Sequence, residues 1–248
     1  MSFLQANIFD FSVNDLPVVL TVLLTIIAYN SYWFIAESPK VKQYFYNTYE
    51  EEKASILYVQ LHKYIGFFFL GIVPSIICLL VLKGHPHNYG LNIENTFQSL
   101  LWIFGLACII VPLNSKASKR PENLAVYPMM RVALWDKLVI IKNVISTIAY
   151  LFAYELLFRG ILFFTCVATL GTWQAMAINI ALYSAVHLPK GPAETIGAIP
   201  FGLVICLITL STGTIWVAVV IHCILALSND FLSVYYQPNM RYKLNKQT

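Results

Sequence analysis

Residues 195–232 read TIGAIPFGLVICLITLSTGTIWVAVVIHCILALSNDFL. Thr195–Ser211 and Thr214–Leu232 are apolar runs joined by the short turn STGT, which has room only for an antiparallel helical hairpin. A hydrocarbon core of about 30 Å is crossed by roughly 20 apolar residues in a helix, so both runs have the length of membrane spans. Upstream, Leu16–Ala36, Tyr64–Leu82 with a kink at Pro74, Ser99–Leu113 closing at Pro112, Leu138–Phe158 and Trp173–His187 have the same character. The apolar stretch Ile161–Leu170 after Gly160 extends the fourth of these spans or breaks it. The count is about seven, or eight if the region around Gly160 forms a span of its own. No alternation long enough for a barrel and no internal repeat occurs, so the expected fold is an all-α, polytopic transmembrane helical bundle.

Composition requires the same solvent. Of the 248 residues, 58% are hydrophobic and 11% charged, with a mean hydropathy of +0.68. A water-soluble domain is nearer 45–50% apolar and about a quarter charged. The N-terminus, MSFLQANIFDFSVND, carries Asp10 and Asp15 and no Lys or Arg, so it lacks the basic start of a signal peptide and the first run is expected to stay as a span. The C-terminal KLNKQT carries no lipidation motif. Cys78, Cys108, Cys166, Cys206 and Cys223 all sit in apolar runs without a CxxC pair, and read as packing residues.

Placing the N-terminus outside puts Lys40, Lys42, Lys53, Lys63, Lys116, Lys119, Arg120, Arg131, Lys137, Lys142, Lys190, Arg241, Lys243 and Lys246 inside, and only Lys83 outside. This bias predicts N-out, C-in and an odd number of spans. The net charge of +4 is thereby a topological signal, not a nucleic-acid footprint. The segment Glu37–Lys63 reads as a solvated helix on the inner surface, with no chemistry assigned to it. Residues 1–137 form the N-terminal spans and inner loops, 138–232 a second group of spans, and 233–248 a basic inner tail.

Ionisable groups within spans are costly and mark function by default. Glu155, Arg159, His187 and His222 qualify, with Glu194 at the mouth of a span and Asp230 near the end of the last one. His85 and His87, in an outer loop, read as solvated. Glu155 and Arg159 are four apart on one helical face. They form either a self-neutralising pair that orders the Gly160 turn, or a pair in which Arg159 holds Glu155 ionised for work on a water. The two histidines read either as helix-bridging hydrogen-bond donors or as members of a site. Glu155 and His187 reach similar depth only if the fourth span runs from about Lys142 through Leu170, the register favoured here.

The strings AYELLFRGIL, YSAVHLPKG and VVIHCILALSND resemble the three motifs of the CAAX-processing and bacteriocin-processing endopeptidase (CPBP, Abi) family of intramembrane proteases. The family pattern is Glu-Glu-x-x-x-Arg, then Phe-x-x-x-His, then His-x-x-x-Asn or Asp. Arg159 and Glu155 fit the first motif, but its first Glu, which the family uses to activate water, falls at Tyr154. His187 fits the second, with Tyr183 for Phe. His222 fits the third, with Ala226 four residues on. The resemblance covers Leu138–Leu232.

It implies an intramembrane hydrolase that activates water and cleaves membrane-associated peptides or proteins. Its site would draw on Glu155 as the carboxylate with Glu194 in reserve, on His187 and His222 as oxyanion or relay groups, and on Tyr154 as a donor. Asn229 lies about 10 Å further along the helix than His222, too far to replace the missing Asn. No cofactor is expected; two His and a Glu make a Zn²⁺ set in the abstract, but the spacing matches no HExxH helix. The partners implied are the lipid bilayer and a membrane-associated peptide or protein, with no nucleic acid, in a bacterial inner (cytoplasmic) membrane. The alternative is a catalytically inactive member acting as a scaffold or as an immunity or partner-binding protein. A transporter lacks the matching broken helices that would support it. Geometry separates the first two: a carboxylate within reach of both histidines favours catalysis, and Glu155 facing only Arg159 behind Tyr154 favours the inactive member.

Overall fold

The computed structural model describes residues 12–243; Asp10 and Lys246, assigned above to the outer N-terminus and the inner tail, lie outside the described residues. The helices are α1 (Leu16–Ala36), α2 (Pro39–Thr48), α3 (Glu51–Leu82), α4 (Thr96–Ala117), α5 (Pro121–Val126), α6 (Lys137–Leu170), α7 (Thr172–Ala185), α8 (Pro192–Thr212) and α9 (Trp216–Tyr236). A minimal parallel pair, β1 (Leu134–Trp135) and β2 (Arg241–Tyr242), joins the α5–α6 loop to the segment after α9. The protein is an all-α polytopic membrane bundle. Among the described residues, six helical stretches, those containing α1, α3, α4, α6, α8 and α9, are long and apolar enough to cross a bilayer, where about seven spans, or eight, were expected.

The centre of the bundle is α6. Asp136 caps its start by accepting a hydrogen bond from the Val139 amide at 2.9 Å. The helix then runs unbroken for 34 residues, about 51 Å at 1.5 Å per residue. Gly160 does not break it. Leu156–Phe164 is wound as a π-helix, whose wider turns keep the chain helical and place Glu155 near mid-helix, as the later register required. About 72% of its most apolar window is buried, against 6% for α4, so α6 is enclosed by protein while α4 faces lipid.

Gly171 sits at φ +90°, a conformation that costs glycine little, and it turns the chain so that α7 packs back along α6. The expected span Trp173–His187 is realised as α7, which has only 14 residues, about 21 Å. It ends beside the middle of α6, which leaves room for a cavity beneath it. Gly213, at φ +68°, closes α8 and starts the hairpin to α9. That turn is tied to the loop after α3: Asn92 donates to the Gly213 carbonyl, Asn95 to the Thr212 carbonyl, and Thr214 to the Gly90 carbonyl.

Three expectations need correction. α4 passes through Pro112 and ends at Ala117; Pro112 lacks one amide donor but sits where the helix has no other reason to stop. α3 begins at Glu51, well before the expected Tyr64, so the supposed surface segment continues directly into a span. Lys63 and His62 are therefore buried, at 5% and 7% exposure, and the first three spans do carry buried charge. The Lys63 ammonium donates to Asn143 Oδ1 at 2.8 Å and Thr147 Oγ1 at 2.6 Å, and Asn143 donates to Asp230 Oδ2 at 3.0 Å. Each end of this chain thus has partners, which is the condition for burying charge at tolerable cost.

The α3–α6 packing depends on close approach. A Cβ built on Gly71 would sit 2.8 Å from the Ala153 Cβ. Gly71→Leu is expected to lower stability by about 1–3 kcal/mol through overpacking, seen as earlier thermal unfolding in detergent. Gly105→Ala, on lipid-facing α4 with nothing within 4 Å of a new Cβ, is expected to leave unfolding unchanged or raise stability by about 0.5–1 kcal/mol.

Candidate active site

Three helices converge on the buried charge of α6. Arg159 is fully buried and Glu155 is 1% exposed. Their spacing along the helix brings Arg159 Nη1 to 3.3 Å from Glu155 Oε2. The guanidinium also lies over the Tyr183 ring of α7, 4.0 Å from its centroid, where the ring's negative face offsets part of its lost hydration. The other carboxylate oxygen, Oε1, accepts from His222 Nδ1 of α9 at 2.5 Å. Glu155 is thus held between a guanidinium on its own helix and an imidazole from the last span.

His222 packs edge-on to Tyr154 and to Phe201 of α8, with ring centroids 5.7 and 5.8 Å apart. On the other side, His187 Nδ1 donates to the Tyr183 carbonyl at 2.7 Å, and its ring packs on Tyr183 at 4.6 Å. In both imidazoles Nδ1 is committed to a fixed acceptor, which leaves Nε2 as the free nitrogen. His187, His222 and Tyr154 border one small cavity of about 30 Å³, together with Tyr29, Tyr150, Leu151, Val186 and Lys190. That volume suits a water molecule. The Tyr154 hydroxyl is buried with no hydrogen-bond partner among the described residues.

The expected residues therefore divide. Glu155, Arg159, His222, Tyr154 and His187 come together, with Glu155 behind His222 and not on the cavity wall. Glu194 does not fold back: it is 40% exposed and pairs with Lys190 at 3.6 Å, one turn away on the surface. Glu155 reaches His222 and Arg159, while His187 stands across the cavity, an arrangement between the two extremes weighed above. Ala226 places no amide one turn beyond His222. Asn229, near the end of α9, has a buried Oδ1 without a partner. Tyr29 and Tyr150 were missed. They sit in ordinary aromatic-rich spans, and only the antiparallel return of α7 brings them to His187, where Tyr29 donates to the Val186 carbonyl at 2.8 Å.

Residues 136–228 match the Rce1-like family profile, described as type II CAAX prenyl endopeptidase Rce1-like. The match covers less than half of the chain, and it contains Tyr154, Glu155, Arg159, His187 and His222. No curated protein and no solved structure matches the chain.

The Glu155–Arg159 pair makes a stability prediction of its own. Arg159→Met leaves a buried carboxylate with only His222, and is expected to cost about 3–5 kcal/mol. Adding Glu155→Gln to that variant is expected to restore part of the loss, measured by reversible unfolding in mixed micelles; strict additivity of the two single costs would show that the charges are not coupled.

Proposed function

We propose that this chain, whose residues 136–228 match the type II CAAX prenyl endopeptidase Rce1-like model, is an intramembrane peptidase in which His222, backed by Glu155, has taken over the activation of water. The observation that carries this reading is the 2.5 Å contact between Glu155 Oε1 and His222 Nδ1, with His222 on the wall of a water-sized cavity. A carboxylate at Nδ1 fixes the tautomer that leaves Nε2 basic, and it stabilises the imidazolium formed when Nε2 takes a proton. The position that the family fills with a water-activating Glu holds Tyr154, a poor base but an available hydroxyl donor.

The steps follow from these roles. His222 Nε2 removes a proton from water, and the hydroxide adds to the carbonyl of a peptide bond at the cavity. The oxyanion is met by the unpartnered Tyr154 hydroxyl, and His187, whose Nδ1 donates to the Tyr183 carbonyl, presents Nε2 to the same cavity as an acceptor for the substrate or a relay for its protons. Collapse breaks the C–N bond, and the proton held on His222 goes to the departing amine. Every proton is carried by a side chain of this chain, and no step invokes a metal. The substrate class is a membrane-associated peptide or protein, approached from the side where Lys190 borders the cavity. The setting proposed is a bacterial cytoplasmic membrane, from the family resemblance together with the positive-inside pattern, and the distribution of Lys and Arg puts the N-terminus outside.

One observation favours the inactive alternative: Ala226 offers no hydrogen bond beside His222, and Tyr154 occupies the place of the usual base. Cleavage of a membrane-peptide substrate by the protein in lipid nanodiscs decides between them. Wild type is expected to cleave, and His222→Ala and Glu155→Gln to lose about 10²–10⁴-fold in kcat, with a smaller loss for His187→Ala. Equal turnover in all four proteins would end the catalytic reading and leave the scaffold.

A further inference from the structure

The cavity is joined to the end of α1 by a line of side chains that lies wholly outside the family-matched segment, apart from its last member. Glu37 follows the last residue of α1, and its side chain is 42% exposed. Its Oε1 lies 2.9 Å from Nε2 of His62 on α3. His62 is buried, and the hydroxyl of Tyr32, one turn back on α1, stands 3.2 Å from both of its ring nitrogens. Tyr32 is 2% exposed, and its ring lies 5.7 Å from that of Tyr150 on α6, tilted against it. Tyr150 borders the cavity that holds His187 and His222.

Nothing in the packing of α1 against α3 requires this set of polar groups. Each is a group that both gives and receives a proton; hydrogen bonds join Glu37, His62 and Tyr32, and the Tyr32 ring lies beside that of Tyr150 on the wall of the cavity. The neighbouring Tyr58 hydroxyl ends on the Ala36 carbonyl at 2.9 Å, whereas this set has a part-exposed carboxylate at one side and a cavity-lining tyrosine at the other.

We infer that Glu37, His62, Tyr32 and Tyr150 form a proton path between the aqueous surface at the end of α1 and the cavity, a reading that rests on the peptidase function proposed above. The need for it follows from the reaction. Collapse of the tetrahedral intermediate leaves a carboxylic acid in the cavity, while the mouth beside Lys190 is filled by the rest of the substrate. The acid must lose its proton before the carboxylate leaves, and bulk water is excluded at that moment.

The transfer is balanced at every member. The acid proton passes to the Tyr150 oxygen as the Tyr150 hydroxyl proton passes to Tyr32. The Tyr32 proton goes to Nδ1 of His62 as the proton on Nε2 goes to the Glu37 carboxylate, which releases it to water. The product is left as a carboxylate, the proton is in bulk water, every member of the path keeps the charge it began with, and a turn of the imidazole restores its first tautomer. The equal distance of Tyr32 from both ring nitrogens suits that turn.

The test uses the full-length protein in nanodiscs with the same membrane-peptide assay. Tyr32→Phe keeps the ring and removes the hydroxyl; it is expected to lower kcat about tenfold or more with KM unchanged. His62→Ala is expected to do the same and to be restored by added imidazole, a recovery that a purely structural role would not show. Tyr32→Phe at the wild-type rate, or a folded His62→Ala that is slow and gains nothing from imidazole, would overturn the path alone. A wild type that cleaves nothing would overturn the peptidase reading first, and the path with it.

Discussion

A guanidinium with no exposure to solvent sits in the middle of the longest apolar helix, and the arrangement around it follows from making that tolerable. Arg159 is placed by its own helix against Glu155 at 3.3 Å and by α7 against the face of Tyr183 at 4.0 Å. Neither contact alone would offset the loss of hydration, which for a buried ion amounts to several kcal/mol even after relaxation. The carboxylate in turn has a second oxygen to satisfy, and only α9 can reach it, through His222. One buried charge therefore sets the rotation of α6, the docking of α7 and the register of α9.

The same pairing has a chemical consequence. Because Glu155 is engaged by Arg159 and His222, it stands behind the cavity wall and not on it, so in the proposed peptidase it would act through His222. Under that proposal, Tyr154 and His222 on the cavity wall together supply a donor and an acceptor where the family pattern has a carboxylate. The short α7 completes the arrangement. By ending beside mid-α6 it delivers His187 and Lys190 to a small opening, where a longer helix would have covered it.

The second polar layer, around Lys63, Asn143, Thr147 and Asp230, shows how the two halves of the chain are locked together. Lys63 belongs to α3 and Asp230 to α9, and α6 supplies the amide and hydroxyl between them. Each of the four side chains in that network is hydrogen-bonded to a partner on another helix. In a bundle where apolar faces cannot distinguish a neighbouring helix from lipid, such contacts and close glycine approaches provide the specificity. Gly71 against Ala153 is the close approach on the same α3–α6 interface.

Much of this was legible before any coordinates. A run of apolar residues long enough to cross a bilayer identifies a span without reference to its neighbours, because helical hydrogen bonds close within the run and the solvent rewards only composition and length. The same logic marked Glu155, Arg159, His187 and His222, each costly where it stands. Spacing along a single helix also decided the Glu155–Arg159 pair. Contacts between helices were not legible. Glu194 had the right chemistry to reach the site, yet its nearest cation, Lys190, is four residues away and holds it at the surface. Lys63 looked like a loop residue because its partners lie 80 and more positions later. The residues of α6 that follow the π-wound turns from Leu156 to Phe164 point in directions that the ordinary helical period does not give. The sequence by itself determined a membrane bundle and the charges that it had to bury. Only the tertiary structure decided that Glu155 meets His222 and that tyrosines from α1 and α6 line the cavity beside it, because helix rotation and register depend on the packing of every neighbour at once.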